Sequence, residues 1–110
     1  MAEQLEHYRR RFQSPEILAC IAAIGRVVAV LRSQPELSDL HPGLSHLSLT
    51  LESSGRRGVI FVSWHRSEDL FEVSTMRRFP DALHEVIVPV AEIKGKIVEG
   101  VAILESGALP

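Results

Sequence analysis

The stretch from residue 44 to 76 most constrains the fold, because it contains three short strand-like segments joined by very little sequence. In 47–52, leucines alternate with polar residues, as expected for a strand with one buried face. Segment 59–64 is apolar on both faces, which suits the middle strand of a sheet. Segment 70–76 alternates again. Connections this short favour an antiparallel meander.

A three-stranded sheet with an apolar face is not stable alone in water, so the flanking apolar segments are predicted to be helices that cover it. In 17–31, apolar residues repeat at steps of four and three. Ser14-Pro15-Glu16 has the cap, proline and acid of a helix start, and Pro35 ends the helix. Segment 90–104 has a similar helical period, which favours a closing helix over a hairpin.

The remaining segments are predicted to be connections and one further strand. Residues 35–43 form a connector closed by a turn at His41-Pro42-Gly43, and 83–88 is an edge-like fourth strand. The expected fold class is α+β: an N-terminal helix, a three- to four-stranded antiparallel meander and a C-terminal helix in two layers. Both helices are expected on one face of the sheet, which leaves the other open. A length of 110 residues fits a single domain over 1–110.

Charge and hydropathy argue against nucleic-acid and membrane partners. The net charge is −2, whereas a general nucleic-acid binder carries a basic excess. The α-β-β-β-α order is shared with double-stranded RNA-binding domains, but 90–94 lacks their lysine-rich entry to the last helix. The apolar run 17–31 is too short to span a membrane, and residues 1–11 are charged, unlike a signal peptide. We therefore expect a cytoplasmic protein.

No catalytic, metal-binding or cofactor-binding motif is visible in the sequence. The five histidines show no ligand spacing, and no nucleophile elbow or phosphate-binding loop is present. Cys20, the single cysteine, lies in the apolar helical segment, where a thiol ionises poorly. The expectation is therefore no catalytic residue, no metal and no cofactor. A small enzyme or ligand-binding protein that uses His65 or His46 is retained as a third hypothesis.

The end of the middle strand and the turn after it form the candidate binding site. This segment holds the only tryptophan beside a turn with charges of both signs. A tryptophan in this position commonly completes a core, whereas an aromatic anchor beside charged groups is typical of protein interfaces. Both interpretations stay open. The candidate partner-binding residues are Trp64, His65, Arg66, Glu68, Asp69 and Glu72.

A further indication comes from Gly58-Val59-Ile60-Phe61-Val62-Ser63-Trp64, a strand that ends in tryptophan before a charged turn. With an apolar helix on either side of the meander, the chain resembles bacterial immunity proteins of polymorphic toxin systems, the TriTu type among them. The similarity covers 44–76, and the chain departs from many such inhibitors in being only weakly acidic. The resemblance implies a cytosolic inhibitor that docks on a toxin domain and blocks its active site or substrate entrance.

Two functional hypotheses of different classes lead from these observations. The first is a non-catalytic protein-binding protein, most specifically an immunity-type inhibitor of a toxin, acting through the loops and the open face of the sheet. The second is a homodimeric structural or adaptor domain in which the apolar stripe of 17–31 packs against its twin. A mass of twice 12.2 kDa without any partner favours the dimer.

Overall fold

A computed structural model describes residues 5–7, 14–37, 39–45, 47–52, 58–78 and 81–106 of the chain. Among them, helix α1 is Pro15–Arg32 and helix α2 is Ile93–Ser106. Two short 3₁₀ turns, Pro35–Leu37 and Val90–Glu92, follow α1 and precede α2. The strands are β1 (His41–Ser45), β2 (Ser48–Glu52), β3 (Val59–His65), β4 (Leu70–Arg78) and β5 (Asp81–Val88).

The five strands form one antiparallel sheet in the order β1-β2-β3-β4-β5. Each strand therefore pairs with its neighbours in sequence, which confirms the predicted α+β meander with its N-terminal and C-terminal helices. Strand β3, the segment predicted to lie in the middle, is the central strand. The fourth strand predicted over 83–88 is present as β5, and the sheet gains one more strand at its other edge.

That extra strand corrects the predicted turn at His41-Pro42-Gly43, which is instead the start of β1. Proline is tolerated here because β1 is an edge strand, where the missing N–H breaks no ladder hydrogen bond. The predicted first strand is also shorter than expected. Leu47 has φ 63° and lies in the turn between β1 and β2, where Ser45 pairs with Ser48. A leucine with positive φ is uncommon, so the alternating pattern did not indicate this turn.

The predicted boundaries of α1 agree with the structure, whereas α2 begins at Ile93, after the 3₁₀ turn at Val90–Glu92. The N–H of Ile17 donates to the Ser14 hydroxyl at 3.4 Å, so serine caps α1 and Pro15 takes the first helical position. The helix ends at Arg32, before Pro35. At the other end of the chain, 93–106 is helical, which confirms a closing helix rather than a hairpin.

Both helices cover the same face of the sheet. One buried cluster contains side chains of α1, of α2 and of the inward face of the central strands. Trp64 packs against this cluster, and its cross-strand neighbour Phe71 is fully buried within it. The most deeply buried members from each layer are Ile24, Val27, Ile93 and Ile97 on the helices and Leu49, Ile60, Val62 and Val73 on the strands.

The opposite face of the sheet, called the open face below, is accessible over only part of its area. Ser74 and Met76 point to this side, yet they are 3% and 9% exposed. Residues 73–76 of β4 are therefore buried on both faces of the sheet. The accessible part lies toward the other end of β4, at Glu72 and its cross-strand neighbours.

Candidate functional site

The turn between β3 and β4 (residues 66–69) lies at the centre of the predicted binding segment. Its four residues are all exposed, and the Asp69 N–H donates to the Arg66 carbonyl at 3.3 Å. Asp69 adopts φ 52°, in the left-handed region that aspartate tolerates better than most residues. The turn therefore has a defined conformation that directs the Asp69 carboxylate toward α1 and Trp64.

Asp69 is held by two donors from different parts of the fold. Arg26 of α1 donates to both carboxylate oxygens, at 3.1 Å and 2.5 Å, and the indole N–H of Trp64 donates at 2.8 Å. The Arg26 guanidinium also lies 5.5 Å from the ring centre of Phe71, within cation–π range. These three residues, Arg26, Trp64 and Asp69, are called the turn clamp below.

The clamp changes the ionisation of both charged groups. Hydrogen bonds from Arg26 first, and then from Trp64, lower the pKa of Asp69 to about 2. The hydrogen bond to Asp69 raises the pKa of Arg26 from an already high value. Asp69 is therefore ionised at neutral pH, and its hydrogen bonds to Arg26 hold the turn against α1.

A second contact joins the same turn to the start of α1. Arg66 lies 3.9 Å from a Glu16 carboxylate oxygen. The Ser14 hydroxyl, followed by the backbone N–H of Glu16 itself, lowers the pKa of Glu16, and Arg66 adds a smaller effect. Both partners of this ion pair are largely exposed, so it contributes little to stability, and Arg66 remains accessible to a partner.

His65 and Glu72 lie on the open face, on the other side of the sheet from Trp64. Their side chains pair across β3 and β4 at 3.4 Å, and the Ser74 hydroxyl donates to the second Glu72 oxygen at 3.4 Å. No serine hydroxyl within the described ranges is hydrogen-bonded to His65. The arrangement is a histidine–carboxylate pair without an attached nucleophile, and the alternative candidate His46 lies outside the described residues.

One row of side chains extends from Glu72 across the open face. Ser63 of β3 and Ile87 of β5 are its cross-strand neighbours, and the hydroxyls of Ser48 and Ser63 lie 2.9 Å apart. Ile87 is 53% exposed, the highest value among the large apolar side chains that the structure describes. The row Ser63–Glu72–Ile87 is called the open-face row below.

The structure thus places the six predicted site residues in three environments. Trp64 and Asp69 belong to the turn clamp, Arg66 and Glu68 are exposed in the turn, and His65 and Glu72 lie on the open face. Sequence reasoning missed Arg26, because it is 43 residues from its partner and resembles any exposed helical arginine. It also missed Ile87, although the alternation of β5 places Ile87 on the face opposite the partly buried Val86 and the buried Val88.

One apolar cavity of about 340 Å³ lies between the C-terminal turn of α1, the following 3₁₀ turn and β1. Its walls include Val28, Leu37 and Leu40, and Arg32 is the one charged residue among the described side chains that line it. No group of three or more potential metal ligands is found in the described part of the chain. The cavity is therefore an apolar depression with one cationic side chain, Arg32, at its edge.

The sequence contains an arginine pair at the end of β4, Arg77-Arg78, and the first of the two has a structural role. Arg77 donates to the carbonyls of Ile103 and Leu104 at 3.0 Å and 3.4 Å, and so satisfies acceptors in the last turns of α2. The other arginine clusters of the sequence, at 9–11 and 56–57, lie outside the described residues.

Comparison with protein-family models, with curated proteins and with solved structures finds no match for this chain. Of the helices that the structure describes, none has the length and hydrophobicity needed to cross a membrane.

Proposed function

We propose that this chain is a non-catalytic protein-binding protein, and most specifically an immunity-type inhibitor that docks on a toxin domain and blocks it. The observation that carries the proposal is the open-face row, where an exposed isoleucine lies beside a carboxylate on the side of the sheet opposite α1 and α2. Apolar contact surrounded by polar groups is the composition of protein interfaces.

The neighbouring turn extends this surface. His65, Arg66 and Glu68 lie next to the open-face row and remain accessible, whereas the turn clamp holds the turn in place against α1. A partner that contacts both areas meets a surface of fixed shape, which reduces the entropy lost on binding. Blockade then requires only that the docked domain cover the toxin's active site or substrate entrance.

The charge of the surface favours a basic partner. Glu72 and Glu85 both lie on the open face, and Glu68 is exposed in the adjacent turn. Carboxylates in this position steer a positively charged surface toward the sheet and disfavour an acidic one. The proposed toxin domain is therefore one with a basic surface around its active site.

A matched pair of charge reversals tests the proposal, with a candidate toxin domain as the binding partner. Glu72→Lys alters the open face, and Glu99→Lys makes the same change on α2, in the helical layer. We expect Glu72→Lys to weaken binding at least about tenfold by calorimetry, while Glu99→Lys binds like wild type. Co-expression of wild type and of Glu99→Lys should restore growth of cells that produce the toxin domain, and Glu72→Lys should restore it less.

Equal binding by both variants would place the interface elsewhere, and absence of binding by the wild-type chain would exclude this toxin as the target. Thermal unfolding of each variant shows whether a loss of binding comes from a loss of fold.

A further inference from the structure

The outer edge of β5 differs from the opposite edge of the sheet in a way that affects self-association. Strand β1 carries Pro42 and Gly43, which weaken pairing on its outer side. Strand β5 is eight residues long, contains neither proline nor lysine, and ends in the β-branched run Val86-Ile87-Val88. The order of the sheet leaves β5 with no strand on its outer side within the described part of the chain.

The pairing of β5 with β4 is irregular in its first half and regular in its second. Register shifts occur between Thr75 and Met76 and between Met76 and Arg78, opposite the start of β5. From His84 to Val88 the register is continuous. A bulge is one of the devices that protects an edge, so the unprotected part of β5 is 84–88.

We propose that a second copy of this chain pairs with β5 in antiparallel fashion, so that two sheets join into one of ten strands. A two-fold axis perpendicular to the sheet relates such copies and places one residue of β5 directly opposite itself. A register centred on Glu85 opposes two carboxylates and is unfavourable. A register centred on Val86 opposes valine to valine, Glu85 to Ile87 and His84 to Val88.

The difference between the two edges of the sheet favours a second copy of this chain as the partner of β5. Pairing through β5 leaves only the two β1 strands at the outer edges of the joined sheet, and each of these carries Pro42. The assembly therefore closes at two copies, whereas an unprotected edge on both sides would allow continued growth.

The strands, rather than the helices, hold the two copies together. Helix α2 lies mainly over β4, and in the joined sheet β4 and its copy are separated by three strand spacings, or roughly 14 Å. Packed helices are usually 8–10 Å apart, so the two α2 helices do not pack closely against each other. The open face stays accessible in the joined sheet, but Glu85 and Ile87 lie in both the self-pairing and the proposed toxin contact.

Two substitutions at one position test the register as well as the pairing. In the register centred on Val86, Ile87→Lys places an ammonium opposite Glu85 of the second copy, and Ile87→Asp places a carboxylate there. We expect wild type to sediment at twice 12.2 kDa at high concentration and to dissociate on dilution. The dissociation constant should fall or stay level for Ile87→Lys and rise at least about tenfold for Ile87→Asp, since like charges then face each other at both symmetry-related positions.

Two single substitutions, Val86→Pro and Ile87→Pro, distinguish a loss of pairing between copies from a loss of the fold. Adjacent strand residues direct their N–H groups alternately to β4 and to the outer side, so one of the two prolines removes only an outward N–H. That variant should unfold at the temperature of the dilute, monomeric wild type and should sediment as a monomer. Its amides of 84–88 should exchange faster than those of the wild-type dimer. A wild-type chain that stays at 12.2 kDa at every concentration, or a dimer that survives both prolines, overturns the proposal.

Discussion

The smallest unit that organises the binding segment is the Asp69 side chain. Its carboxylate accepts from Arg26 on the first helix and from Trp64 on the central strand, so one residue connects the turn to both layers. This arrangement supports the core interpretation of Trp64, and a role of Trp64 in partner binding stays a prediction. The indole packs against the core, and its polar N–H is satisfied within the same hairpin, so its direct contribution is to the fold.

The turn clamp predicts a specific dependence of stability on acid. The folded-state pKa of Asp69, about 2, is below its ordinary value, so its contribution to stability is complete above the unfolded-state pKa. That contribution is lost as the pH falls from the unfolded-state pKa of Asp69 to its folded-state pKa of about 2. We expect the urea midpoint of Asp69→Asn to decline less than that of wild type over this interval.

Arg26→Gln provides the control, because it removes the main cause of the shift and leaves the carboxylate in place. Its Asp69 pKa, followed by NMR titration of the carboxyl carbon, should move toward the ordinary value. Parallel acid-unfolding curves for wild type, Asp69→Asn and Arg26→Gln would show that the clamp does not contribute to stability.

At the scale of elements, helix α2 lies close to the sheet at Gly100. A Cβ at this position would lie 2.5 Å from the Thr75 hydroxyl oxygen and 3.1 Å from the Ile60 Cδ1 atom. Thr75 is fully buried, and its hydroxyl has no hydrogen-bond partner among the described residues. The absence of a side chain at Gly100 therefore lets α2 pack directly over β3 and β4.

A second glycine in the same helix supplies a matched comparison. A Cβ at Gly95 would meet nothing within 4 Å, so Gly95→Ala should raise the free energy of unfolding by about 0.5–1 kcal/mol through the helix propensity of alanine. Gly100→Ala should lower it by about 1–3 kcal/mol, because the added methyl overpacks the core. Urea unfolding measures both.

Combining Gly100→Ala with Thr75→Ala should cost less than the sum of the two single changes, since removal of the hydroxyl makes room for the methyl. Similar effects of the two glycine substitutions would argue against this close approach.

The elements differ in how far the sequence alone predicts them. Helices α1 and α2 and strand β3 follow from the apolar pattern, because each helix has a continuous apolar stripe and β3 is apolar on both faces. Strand β1 was missed because Pro42-Gly43 has the composition of a turn, and only its edge position makes that composition acceptable in a strand. The turn clamp was missed because Arg26 and Asp69 meet only through the tertiary arrangement, which no local pattern encodes.

At the scale of the whole molecule, the sheet has one protected and one unprotected edge, and its two faces are likewise unequal. The helices cover one face, while the other is accessible near the open-face row. The proposed partner contact uses this accessible face, and the proposed self-pairing uses the unprotected edge. Ile87 belongs to both surfaces. Because the two-fold axis is perpendicular to the sheet, a dimer would present two copies of the open-face row on the same side of the joined sheet.

The edge asymmetry leads to a prediction about the size of the assembly. If Pro42 limits growth at β1, then Pro42→Thr restores a main-chain donor and a β-branched residue on that edge. With both edges available for pairing, we expect species larger than two copies to form as concentration rises, as measured by sedimentation velocity. Pro35→Thr, which alters a proline outside the strands, should retain the wild-type distribution. A Pro42→Thr distribution identical to wild type would show that this proline does not limit growth, and closure at two copies would then require a different cause.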